Sequence, residues 1–148
     1  MLESAFFNYF RVPIMLNIKT LFTIIVSLFT SVVFAGETAK ISQQDLLTAL
    51  NENKGNIVLL DVRSTSEYEH GHIAGAINIS HDNVEESLSL LAQYKDNDVI
   101  VYCRSGRRAG IAERILAENG FNKLHHLEGD MNGWVAAKLP VVNSEHSH

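Results

Sequence analysis

Val99-Ile100-Val101-Tyr102-Cys103-Arg104-Ser105-Gly106-Arg107-Arg108-Ala109 is the stretch on which the rest of the chain hangs. Four apolar residues, two of them valine, read as a strand buried on both faces, because a sheet covered by helices on each side leaves no polar alternation. The strand ends at the one cysteine among 148 residues. A tight loop with Gly106 and three arginines follows, and then a helix-forming run. Such a loop turns backbone N–H groups, a helix N-terminus and the cations Arg104, Arg107 and Arg108 toward one sulfur atom. Each of these favours a thiolate over a thiol.

Outward from the loop, helical and strand signals alternate. Ser42 caps a helix that contains Asp45, Leu46, Leu47 and Leu50. Ile57-Val58-Leu59-Leu60 is a second continuous apolar run and ends in Asp61-Val62-Arg63. Ser64 to His70 is polar and holds one short helical turn. Ala76-Ile77-Asn78-Ile79 reads as a short strand after Gly71 and Gly75. Asn83 caps a helix with Glu85 and Glu86 in its first turn and Val84, Leu88, Leu91 and Ala92 on one face. Beyond the cysteine, Ala109, Ala112, Ile115 and Leu116 keep helical spacing, and Gly120 stops that helix. The last strand lies near Leu124 to Leu127, a short helix surrounds Trp134, and Pro140 closes the packed region. Helices alternating with short apolar strands predict an α/β fold: one domain over residues 38–140, with a mostly parallel central sheet and helices on both faces. Residues 141–148 are expected to form a polar, flexible tail.

Composition bounds the function. The chain is 46% hydrophobic with a formal net charge of −5, which argues against a nucleic-acid or acidic-membrane partner. Residues 1–35 carry Glu3, Arg11 and Lys19, a net +1, so the remainder stands at −6. Three arginines within five positions on an acidic domain read as a small-anion site. A single cysteine excludes an intrachain disulfide. Lys19, the uncharged run Leu21 to Phe34 and the small Ala35 fit a secretory signal peptide over residues 1–35, with Met15 as the cleaner initiator. The run is short for a membrane span, so an uncleaved anchor is the alternative. The expected location is periplasmic or secreted.

The loop supports several chemistries. A nucleophilic Cys103 at a strand's carboxyl end, beside Asp61 at another, suits covalent group transfer. Cysteine phosphatases and arsenate reductases compete for this reading. A phosphatase cradle places its arginine six positions after the cysteine, where this chain has Ala109. Arg108 makes the loop one residue shorter, and a smaller cradle suits a single sulfur better than a phosphoryl group.

Taken together, the motifs resemble a single-domain rhodanese of the thiosulfate sulfurtransferase-like family. Cys103 to Ala109 resembles the active loop. Asp61-Val62-Arg63, Glu67-Tyr68, Gly71-His72-Ile73 and Gly75 to Ile79 resemble the upstream signature, and Leu127-Glu128-Gly129 with Trp134 resembles the closing motif. The match covers residues 41–140. The resemblance implies that Cys103 takes a sulfur from an anionic donor such as thiosulfate and passes it, as a persulfide, to cyanide or a thiol. It also implies that the loop amides of Arg104, Ser105, Gly106, Arg107 and Arg108 hold the persulfide, that the three arginines attract the donor, and that no metal or organic cofactor is needed. A sulfur-carrier or protein-binding module without turnover is the other reading of such a domain.

Around this site, Arg63 and Glu67 stand four apart and are expected to pair beside the loop. Asp61 either orients loop amides or caps its strand end. His72 reads as structural and Trp134 as a core anchor. His125 and His126 face opposite ways on a strand, so they do not chelate together. His146 and His148 are weak metal candidates. Asp130 stands where the family usually has glycine, which is expected to set an anion where the anionic donor approaches.

Overall fold

The computed structural model describes residues 38–52 and 56–143. They belong to the second of the chain's two units, Glu37–His148. The signal segment, its start and cleavage, and the histidines of the tail lie outside the described residues. Among the described residues no helix is long and apolar enough to cross a membrane.

Among the described residues five strands form one sheet, and every pairing within it is parallel. In chain order the elements are β1 (Ala39–Ile41), α1 (Gln43–Asn51), β2 (Ile57–Asp61), α2 (Thr65–His70), β3 (Ile77–Asn78), α3 (Leu88–Leu91), β4 (Asp98–Tyr102), α4 (Arg107–Glu118), β5 (Leu124–Leu127) and α5 (Asp130–Ala136). The sheet order is β1-β5-β4-β2-β3. The chain steps from β2 to one side for β3, then returns to the other side for β4 and β5. The order therefore reverses between β2 and β4, and the crevice outside the carboxyl ends of those two strands is where open α/β sheets bind ligands.

The strands' near-continuous apolar runs split by alternation. Val99, Val101 and Cys103 join Ala109, Ala112 and Leu116 of α4 and Leu91 of α3 on one face. Ile100 and Tyr102 join Leu46 of α1 and Met131 and Trp134 of α5 on the other. Both faces are thus covered, and Cys103 ends the central strand as part of the core. Trp134 is buried, and its indole N–H donates to the Pro140 carbonyl at 2.8 Å.

Ser42 caps α1 as expected, accepting the Asp45 N–H. Two expectations change. The helix after Asn83 does not form as one piece. A 3₁₀ turn at His81–Asn83 leads through turns to the four-residue α3. Val84 and Leu91 are buried and Leu88 is half-buried, but Ala92 is exposed. Once the chain leaves regular helix, a face read at 3.6-residue spacing no longer holds together. The other change is β1, an additional edge strand in register with β5, pairing Lys40 with His126.

Candidate active site

Cys103 lies just past β4, with the residue only 1% exposed. Its sulfur accepts a hydrogen bond from the Gly106 N–H at 3.1 Å. Gly106 makes this possible with φ +96°, a left-handed conformation that side chains resist. The Gly106 carbonyl then accepts the Gly110 N–H at 2.9 Å, so the loop runs directly into α4. Of the expected amides, Gly106 supplies the one that reaches the sulfur among the described contacts.

The three arginines do different things. Arg108 turns back across the site. Its Nη1 and Nη2 donate to the two Glu67 oxygens at 2.6 and 2.8 Å, the bidentate geometry a guanidinium prefers. Hydrogen bonding to Glu67 and its charge raise the Arg108 pKa, and the nearby Cys103 sulfur adds to the effect. Arg104 is exposed and lines a cleft of about 400 Å³ with Arg63, Ser66, Glu67, His70, Met131, Asn132 and Val135. Arg107 is exposed at the first position of α4 and does not line that cleft. Ser105 is exposed at the loop's turn.

Arg63 and Glu67 do not pair with each other. Arg63 precedes Ser64, the N-cap of α2, so it lies outside the helix to which four-residue spacing applies. Its backbone N–H and its Nε both donate to Asp61 Oδ1, at 2.9 and 3.0 Å, and Nη2 reaches the Gly71 carbonyl at 2.8 Å. Burial works against the Arg63 charge, but the hydrogen bonds and charge of Asp61 outweigh it and hold the guanidinium above its usual pKa. Asp61 is fully buried and fastens the turn after β2, and among the described residues the cysteine's own amide goes to Asp130 instead. Glu67 serves Arg108 instead. Bidentate bonds from Arg108, with those from the Ser64 backbone and hydroxyl, hold its carboxyl at about 2 despite partial burial.

Asp130 also departs from expectation. It does not face an approaching donor: it is 3% exposed, and Oδ1 accepts the Cys103 N–H at 2.8 Å. Its other oxygen meets His126 Nε2 at 3.2 Å, and His126 Nδ1 meets Glu113 at 2.6 Å. The adjacent His125 faces Asp98 at 3.0 Å, so the two histidines point apart as strand alternation requires. His72 is buried, stacked on Tyr68 and bonded to its carbonyl, a structural position. Among the described residues no group of acidic, histidine and cysteine side chains is arranged to hold a metal.

Glu113 is the buried group that sequence reading passed over. It sits between Ala112 and Leu116 on the stripe that α4 buries, and a carboxylate on such a stripe needs a partner. That position was the available signal.

Known proteins are similar to this chain in sequence and in fold. The thiosulfate:glutathione sulfurtransferase of Saccharomyces cerevisiae is 30% identical over 106 residues, covering 64% of this chain and 76% of that protein. The tRNA uridine(34) hydroxylase of Cronobacter sakazakii is 34% identical over 76 residues, 49% of this chain but only 22% of the hydroxylase. The crystal structure of a rhodanese-related protein from Thermoplasma volcanium superposes with a TM-score of 0.62 at 29% identity, covering 70% of this chain and 97% of that one. The family model for the rhodanese-like domain matches residues 42–137, from the N-cap of α1 to the end of α5 and across every residue of the cysteine loop. With these relatives, that match supports a sulfurtransferase-type function, and it makes this chain a member of the rhodanese-like domain family.

Proposed function

We propose that this chain is an exported sulfurtransferase that moves a sulfane sulfur from thiosulfate, or a donor like it, to a thiol through a persulfide on Cys103. One observation carries the reading. A lone cysteine ends the central strand at the sheet's switch point, takes the Gly106 N–H on its sulfur, and has a fixed guanidinium beside it.

The chemistry balances in two displacements. The Cys103 thiolate attacks the outer sulfur of thiosulfate. The new S–S bond forms as the bond to the sulfonate sulfur breaks, and sulfite leaves with its electron pair. The terminal persulfide sulfur keeps one negative charge, which the Gly106 amide and Arg108 stabilise in place. An acceptor thiolate, or cyanide in an assay, then attacks that terminal sulfur and returns the Cys103 thiolate. Neither step needs an external oxidant or a metal. Arg104 supplies a positive charge at the cleft for the donor's sulfonate end, while Met131 and Val135 give that cleft an apolar wall.

Export rests on the pattern of Lys19 and Leu21 to Ala35. An oxidising compartment makes free small thiols scarce, so a protein-borne acceptor thiol suits the site better there.

Intact-mass spectrometry of protein purified from cells that process it reads both parts. A chain beginning at Gly36 is expected, and one that retains Met15 sinks the cleaved signal-peptide reading. Thiosulfate is expected to add one sulfur to Cys103 and cyanide to remove it, with both events abolished in Cys103→Ser. A chain that gains no sulfur is not a transferase. One that gains sulfur and releases it to no acceptor is a carrier module.

A further inference from the structure

Asp130 is held with φ +50°, one of two non-glycine residues in the left-handed region among the described residues. A side chain there is disfavoured relative to glycine, and such strain persists where the surroundings over-determine it. The surroundings are specific. Asp130 opens α5, and the first turn of that helix grips the reactive strand end at three points. The Asp130 carboxylate accepts the Cys103 N–H at 2.8 Å, the Met131 N–H donates to the Cys103 carbonyl at 3.0 Å, and the Asn132 N–H donates to the Arg104 carbonyl at 3.1 Å. Two of these bonds use backbone alone. The third exists only because position 130 has an acceptor side chain.

That side chain is itself braced. Asp130 Oδ2 meets His126 of β5 at 3.2 Å, and His126 meets the buried Glu113 of α4 at 2.6 Å. The brace lies directly under the loop. A Cβ added at Gly106 would come within 3.3 Å of Asp130 Oδ2 and 3.5 Å of His126 Nε2. The residue whose amide reaches the sulfur therefore sits close against the Asp130–His126 pair, and Asp130 of that pair holds the cysteine's own amide. We propose that Asp130, braced by His126 and Glu113, is a positioning residue for Cys103: it locks the main chain on the N-terminal side of the nucleophile, so that the sulfur and the Gly106 N–H stay aligned through turnover.

The assignment rests on Cys103 being the nucleophile, so the experiment reads the clamp separately from the sulfur chemistry. Three full-length proteins are compared: wild type, Asp130→Gly and Asp130→Asn. Glycine relieves the backbone strain and removes the acceptor. Asparagine keeps an oxygen for the Cys103 N–H; because it also removes the carboxylate that contributes most to keeping His126 protonated, it leaves a neutral imidazole whose Nε2 accepts the asparagine amide. Amide hydrogen exchange at Cys103, followed by NMR, is expected to quicken about tenfold or more in Asp130→Gly and to return close to the wild-type rate in Asp130→Asn. Steady-state transfer from thiosulfate to cyanide is expected to lose about tenfold in kcat in Asp130→Gly, with KM for thiosulfate unchanged, and to recover to within about twofold in Asp130→Asn.

A merely structural Asp130 would lower the thermal midpoint without this kcat-only loss and without rescue by asparagine. Equal Cys103 exchange in wild type and Asp130→Gly overturns the clamp. Faster exchange with kcat unchanged overturns its role in turnover. If wild type itself transfers no sulfur, the proposed function fails, and the exchange rates still carry or sink the clamp by themselves.

Discussion

Glu67 receives hydrogen bonds from the Ser64 N–H at 3.1 Å, the Ser64 hydroxyl at 3.0 Å and two Arg108 nitrogens at 2.6 and 2.8 Å. Its carboxylate ties the start of α2 to the start of α4 across the mouth of the site. Loss of this side chain matters differently at different pH. Its pKa is depressed from an ordinary 4.5 to about 2, chiefly by the Arg108 hydrogen bonds. A carboxylate depressed in this way adds stability that is fully present above about pH 4.5 and disappears as pH falls through about 2. Urea denaturation of wild type and Glu67→Gln is therefore expected to show a constant advantage for wild type from pH 7 to 5 and a shrinking one from pH 4.5 to 2. Because a third of the side chain faces solvent, the advantage is small and weakens with added salt. An advantage that persists unchanged at pH 2 would show that the charge of Glu67 contributes nothing.

At the scale of elements, α2 is six residues long and fully buries none of them, with the half-buried Tyr68 as its anchor against the core. Its start is held by the capping box, in which Ser64 accepts the Glu67 N–H at 3.2 Å while Glu67 accepts the Ser64 N–H. Ser64→Ala is expected to cost about 1 kcal/mol, read as a lower urea midpoint at unchanged slope. It should also raise KM for the sulfur donor, because Glu67 then holds Arg108 less firmly. A rise in KM with no loss of stability would place Ser64 in the cleft's chemistry instead.

Such elements also show what a sequence can and cannot disclose. β2 and β4 were legible because central strands buried on both faces are written as nearly unbroken apolar runs, whereas β5, Leu-His-His-Leu with only its leucines buried, was placed by the Gly120 stop before it and the Glu128-Gly129-Asp130 turn after it. β1 was not: three residues, two of them exposed, leave no pattern when the edge of the sheet faces water. The cysteine loop was legible because its residues are neighbours in the chain. The Arg63–Glu67 pairing failed because spacing specifies partners only inside a helix. The link from Glu113 through His126 to Asp130 was hidden because it joins α4, β5 and α5, which only the folded sheet brings together.

Across the whole molecule, that link bears on stability as well as on the site. His126 faces Glu113 from α4, Asp130 from α5 and its in-register neighbour Lys40 from β1, all on one side of the sheet, with Glu113, Lys40 and Thr38 lining the recess beside it. Hydrogen bonds that His126 donates to Asp130 and Glu113 raise its pKa from 6.5 to about 10, against a burial that would lower it. Asp130 moves the other way. Burial alone would raise its carboxyl, and the bonds from His126 and the Cys103 N–H bring it below the usual range. For a histidine raised in the fold, the stabilisation is fully present below about pH 6.5 and declines as pH climbs toward about 10, because there the unfolded chain has released a proton that the folded one still holds. Other groups titrate in this range too, so the quantity to follow is the difference between wild type and His126→Gln. Glutamine retains hydrogen bonding but carries no charge between two buried carboxylates, which makes that variant the less stable at pH 6. The difference is expected to narrow steadily from pH 6.5 to 10 in urea titrations. Should it stay constant over that interval, His126 is neutral in the folded protein, and the brace beneath the cysteine loop holds by hydrogen bonds without an ionic component.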